Sequence, residues 1–462
     1  MGRRGLLALL VLTSCKGDAP SSGAPQGTDA IDCATSTATW DTVGEPLMLT
    51  WCTPCHSEHL PAERRQGAPV GIDFDTYELS LPWAERIRVR VVDTVDMPPS
   101  GGMPEHQIAQ VQEWVQCGAV GTVTTPPVDP CAGASPLAGD QAASAVDCTG
   151  GPVTIGGSLL LDADADLSCV CAIDGAVEAA GAVRAELPLL QRIGGDLHLA
   201  DPTLQHFAAP QATEAGHLVF LGAALTTVEL PELQAARSFQ LEGVPALTQL
   251  MLDELYAVEG DVTITGAPAA VQVGLPRLQE VGGAYTVRGL PALERLVGTD
   301  SLHTVGGDIT LEDLPRLADL SGFSELTTLE GSVVLRRTGS PTLHGFHRLT
   351  QVSGDIIVHG NTSLRTARAF ADLQHVGGSF RYEGNTAFAQ WDGLRFLSTV
   401  GGDFVIRDHP ALLALPAMAE LGDIGGDVVL TGNDTLDPAE VQALVDQLTV
   451  GGSVTLGDDT GL

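Results

Sequence analysis

The chain has 462 residues, of which 44% are hydrophobic, and it carries a formal charge of −35 at pH 7. So large an acid surplus excludes nucleic acid and anionic lipid headgroups as partners held by surface charge. Beyond the N-terminal segment no apolar run approaches the ~18 residues that a spanning helix needs.

The first segment reads as an export signal. Arg3 and Arg4 form a positive start, residues 6–13 are apolar, and Leu12-Thr13-Ser14-Cys15 follows. The apolar run is too short to span a bilayer. The four residues ending at Cys15 resemble a bacterial lipobox. That resemblance implies a lipoprotein signal peptide over 1–15 and acylation of Cys15. With Lys16 next, it also implies attachment at the outer membrane, facing the periplasm or the cell surface. Residues 16–32, rich in Gly, Pro, Ser and Ala, are expected to be a flexible tether.

Residues 33–119 are expected to form a small helical domain. One helix over 40–51 would lead into Cys52-Thr53-Pro54-Cys55-His56. This C-x-x-C-H spacing is that of a covalent haem c site. Two thiols on one turn reach both porphyrin vinyl groups, and the adjoining imidazole reaches the iron. A zinc half-site or a redox dithiol shares only the C-x-x-C part, and no second such pair lies nearby. A second helix is expected from Pro82, with Trp83, Ile87 and Val91 at helical spacing. A third is expected from Pro104 and Glu105, through Ile108, Val111, Trp114 and Val115, to Gly118. Trp83 and Trp114 read as core, and His59 and His106 as solvated side chains. Between the last two helices lie Asp96-Met97-Pro98-Pro99 and then Met103. A thioether on a proline-stiffened loop suits a sixth iron ligand.

Together, C-x-x-C-H, Met-Pro-Pro and a last helix ending Trp-Val-Gln-Cys-Gly-Ala resemble the single-haem cytochrome c domains of bacterial secreted and lipid-anchored proteins. The resemblance implies an all-α domain with one haem c, Cys52 and Cys55 as its covalent attachment, His56 as proximal ligand and Met97 as distal ligand. Met103 is the alternative distal ligand. Of nine cysteines, six remain after Cys15, Cys52 and Cys55. An even number in an oxidising compartment favours disulfides. Cys33 and Cys117, which bracket the haem region, form the favoured pair.

Residues 120–150 are expected to be a linker. From 151 to 462 a Val-Gly-Gly-Asp-like signal recurs, with later spacings of 23 to 24 residues, as at Gly354, Gly378, Gly402 and Gly426. Such a period marks a solenoid. Each unit reads as a Gly-Gly turn, a short strand with two inward apolar residues, and trailing leucines. Thirteen units are counted, stacking their apolar pairs into one core. The Gly-Gly-Asp strands, the Asn361-Thr362-Ser363-Leu364 and Asn433-Asp434-Thr435-Leu436 turns, and the trailing leucines resemble receptor L-domains and leucine-rich repeats. The implied architecture is a right-handed parallel β solenoid. Asp437 and Pro438 open a final helix.

The functional expectation is a membrane-anchored electron carrier whose solenoid docks a redox partner or another surface or periplasmic protein. The patch Ile357, Arg381, Val405 and Val429 is the candidate contact. The alternative is a cell-surface binding or sensory protein with a structural or redox-sensing haem domain. Neither reading makes the chain an enzyme; a third, enzymatic reading would apply if Met97 does not ligate and an open iron site binds gas or peroxide.

Overall fold

The computed structural model describes residues 31, 33, 36–61, 64–95, 97–98, 103–121 and 129–457. Cys15, the signal segment, almost all of the tether, Asp96 and Pro99 lie outside the described residues. The chain divides into two compact units that meet between Val128 and Asp129.

The regular structure of the first unit's described residues is helical. A continuous helical run covers 40–52, its N-terminus capped by the Thr39 side chain, which accepts from the Thr42 N–H. The second run covers 77–93 and starts five residues before Pro82. The Thr76 hydroxyl caps it by accepting from the Leu79 N–H, and a single tight turn at Leu81–Trp83 accommodates the proline. The third helix is Glu105–Gln116, closed by Gly118 in the left-handed region at φ 93°. Trp40, Leu47, Met48, Ile87, Val91, Val111 and Trp114 form the shared core. The indole N–H of fully buried Trp114 donates to the Val120 carbonyl at 2.9 Å. Cys33 and Cys117 are bridged, with Cα atoms 5.1 Å apart.

The second unit is a parallel β-solenoid. One long sheet runs through fifteen strands, from Gln141–Ala142 to Val454–Leu456, flanked by shorter parallel sheets. Two strands escape the count of thirteen made from the sequence: Gln141–Ala142 and Val177–Ala179. The first strand of the unit, Ser135–Leu137, lies inside the stretch 120–150 expected as a linker. The first coils are shorter than the later ones, so the regular period does not announce them. Cys131–Cys171 and Cys148–Cys169 tie these coils together.

The alternation of each strand places its two apolar positions inside. Phe404 and Ile406 pair with Val428 and Leu430 in the next coil, and all four are fully buried. The glycine pairs act differently from the tight turn expected of them. Gly401 and Gly402 have ordinary φ values. A Cβ on Gly401 would collide with the Gly377 carbonyl oxygen of the coil before, and one on Gly402 with the Ser379 hydroxyl. The glycines are there because adjacent coils touch backbone to backbone. The aspartate after them also gains a reason. Asp403 Oδ1 accepts from the Asp427 N–H at 3.0 Å, and Asp427 Oδ1 accepts from the Ser453 N–H at 2.7 Å. Each such side chain satisfies the N–H that opens the next coil's strand.

Two interior ladders run along the array. Asn385 Oδ1 accepts from the Asn361 N–H at 2.8 Å, while Asn361 and Asn385 donate side-chain N–H groups to the Leu335 and Val358 carbonyls. Phe323, Phe346 and Phe370 stack with centroid spacings of 4.8 and 5.6 Å. All three have φ near 60° (60°, 59° and 59°). A left-handed non-glycine residue costs about 1–2 kcal/mol. Burying a phenylalanine side chain gains about 1.5–3 kcal/mol, so the ring keeps the strained position.

A candidate cofactor cleft in the helical unit

The helical run 40–52 delivers Cys52 at its end. The chain then turns sharply: the Cys55 and His56 N–H groups donate to the Cys52 carbonyl at 3.1 and 2.8 Å. This turn brings both thiols and the imidazole to one cleft. The cleft encloses about 950 Å³ of space, counting its open mouth, and its walls include Trp51, Trp83, Ile87 and Val91. Met97 and Pro98 line it as well. Met103 packs against the helical core without lining the cleft. Four of the residues singled out from sequence, Cys52, Cys55, His56 and Met97, therefore share one space. Trp83 belongs to its wall, while His59 and His106 are exposed.

His56 is held on two sides. Its ring lies against Phe74, with centroids 4.8 Å apart. Its Nδ1 is 2.9 Å from the Ile72 carbonyl oxygen. A carbonyl can only accept, so Nδ1 carries the proton and the Nε2 lone pair is left for a metal. The residues thus fit a c-type haem: two thiols for thioether links, an imidazole in the correct tautomer, a thioether sulfur and apolar walls.

Burial, and behind it the neighbouring Cys55 thiol, pushes the Cys52 thiol up to about 12. A redox dithiol needs the opposite shift. Among the described residues no group of three or more His, Cys, Asp and Glu side chains is placed to hold a metal ion.

Sequence reasoning missed the support beneath His56. Arg65, only 1% exposed, donates to the Ser57, Pro69 and Ile72 carbonyls at 2.7, 2.9 and 3.0 Å and pairs with Asp73. No spacing in the sequence marks this arginine, because three of its four partners are main-chain carbonyls. Arg86 and Arg90 were also passed over, and both line the cleft.

The contact patch expected on the solenoid is less open than the alternation of its strands suggests. Val405 is buried, and Ile357, Arg381 and Val429 are half-buried. Arg381 pairs with Asp403 and Glu383. Neighbouring strands of a parallel sheet shade one another's outward side chains.

Among the described residues no helix is long and apolar enough to cross a membrane. No protein-family model, curated protein or solved structure matches the chain.

Proposed function

We propose that this protein is a lipid-anchored c-type cytochrome of the cell envelope, in which an all-α, cytochrome c-like unit carries one haem and the solenoid docks a partner protein. The observation that carries this reading is the convergence of Cys52, Cys55, His56 and Met97 on one apolar cleft. Bound there, haem c supplies reversible one-electron exchange at iron. Cys52 and Cys55 would hold it covalently, His56 Nε2 would be the proximal donor and Met97 Sδ the distal donor. The Ile72 carbonyl keeps the His56 proton on Nδ1. Trp51, Ile87 and Val91 exclude water. With His56 and Met97 both available as donors to the iron, the site would suit electron relay rather than binding of gas or peroxide.

The solenoid, read as right-handed and similar to receptor L-domains, offers an extended surface of the kind repeat arrays use for partners. A redox protein or another surface or periplasmic protein fits this role. Cys15 would supply the anchor, with the lipid rather than a spanning helix holding the protein at the membrane.

Production with a haem-maturation system tests the reading. One thioether-linked haem per chain is expected from the pyridine haemochrome spectrum, and absence of covalent haem overturns it. Met97→Ala is expected to abolish the weak long-wavelength band of thioether-ligated ferric haem, while Met103→Ala keeps it. Cys15→Ala is expected to move the protein from the membrane fraction to the soluble one.

A further inference from the structure

Resting on the cytochrome reading, we infer that Arg65 is a positioning residue that sets the electron-donor strength of His56 through the Ile72 carbonyl they share. His56 Nδ1 and Arg65 Nη2 both donate to that oxygen, at 2.9 and 3.0 Å. A carbonyl oxygen has two lone pairs, and here both are engaged. The guanidinium draws electron density away from the oxygen. The oxygen therefore pulls less on the Nδ1 proton, and the imidazole keeps less anionic character. A less anionic proximal imidazole stabilises ferric iron less, so the reduced state gains.

The arrangement is built rather than incidental. Arg65 is 1% exposed and folds the segment after His56 around itself, through the Ser57, Pro69 and Ile72 carbonyls. The Phe74 N–H donates to the His56 carbonyl at 2.9 Å, which closes the segment back on the histidine. Asp73, itself buried, balances the guanidinium charge. Removing the whole pair therefore changes the hydrogen bond on Ile72 without changing the net charge.

The test compares reduction midpoints of the haem-loaded wild type, R65Q/D73N, R65K and D73N. The double variant is expected to show about a tenfold lower ratio of reduced to oxidised protein at a fixed ambient potential, or about 59 mV for one electron. D73N, which leaves the guanidinium without its counter-charge, is expected to shift the other way. R65K keeps the charge but loses the planar fork, and is expected to fall between wild type and the double variant. It decides alone if the double variant does not accumulate. The His56 Nδ1–H resonance is expected to move with the midpoint, which a purely structural role would not produce. Ratios of reduced to oxidised protein within twofold of wild type at that fixed potential, for both R65K and the double variant with haem attached, overturn the inference. A wild-type chain that takes no covalent haem overturns the cytochrome reading instead.

Discussion

At the scale of single residues, the solenoid shows what happens when one member of a ladder departs from the rule. His409 stands in line with Asn361, Asn385 and Asn433 and is fully buried. Its N–H donates to Asn433 Oδ1 at 3.1 Å and its Nδ1 lies 3.3 Å from the Asn385 carbonyl oxygen, but among the described residues its Nε2 finds no well-formed hydrogen bond. Burial holds the His409 imidazole below its ordinary value. The unfolded chain therefore binds this proton at a pH where the folded chain does not. The stability it allows is complete above the unfolded value of about 6.5 and falls as pH drops from there toward the folded value. H409N is expected to flatten that acid-side loss in thermal melts followed against pH. An asparagine there could donate to the Tyr382 carbonyl as its neighbours do one coil away. Among the described residues the buried Tyr382 hydroxyl has no partner, and burial makes it harder to ionise. Y382F removes an orphan polar group and is expected to leave stability unchanged or raise it by about 1 kcal/mol. The asparagines at 361 and 433 were visible in the sequence as turn residues. Their interior bonding was not, because a ladder exists only once coils are stacked.

At the scale of elements, the glycine pairs carry the sharpest contrast. G401A places a methyl group against the Gly377 carbonyl and is expected to cost about 3 kcal/mol, at the upper end for overpacking. Gly422, in the same region, has nothing within 4 Å of its would-be Cβ. G422A is expected to be neutral or stabilising by up to about 1 kcal/mol, through the unfolded chain. Chemical denaturation of the two variants checks both. The turn that does need a left-handed residue lies at the other end of the strand, as at Gly384 and Gly432, with φ 64° and 68°. In the helical unit, the sequence located the helix at Glu105–Gln116 but started the second one late at Pro82. A proline is a fair start signal in isolation. The Thr76 cap outweighs it because the hydroxyl satisfies an N–H that would otherwise be left open.

At the scale of the whole molecule, the two units are stabilised by different means. The helical unit is small, and its cleft removes volume from an already limited core. Filling that cleft is expected to raise its melting temperature, readable by comparing haem-loaded protein with C52A/C55A. The solenoid has a continuous core from Ala143 to Leu444. It is expected to unfold by repeats rather than in one step. Its first coils, short and joined by two disulfides, resist fraying at that end. C148S/C169S is expected to cost about 2–4 kcal/mol, with hydrogen exchange rising in the coils around Val153–Ile155 first. At the other end, Val454 and Leu456 are 43% and 39% exposed, although the matching Val428 and Leu430 are fully buried.

The sequence alone determined the solenoid, because a 23–24-residue period with two apolar strand positions per repeat has no other way to bury them. It also set Cys52, Cys55 and His56 close enough to share one cleft, because spacing along one turn is a local property. Only the tertiary structure decided that Met97 and not Met103 lines the cleft. It alone paired Cys131 with Cys171 and Cys148 with Cys169. It alone put Arg65 and His56 on one carbonyl oxygen. Each of these depends on distances between residues far apart or on main-chain atoms, which leave no periodic trace in the order of side chains.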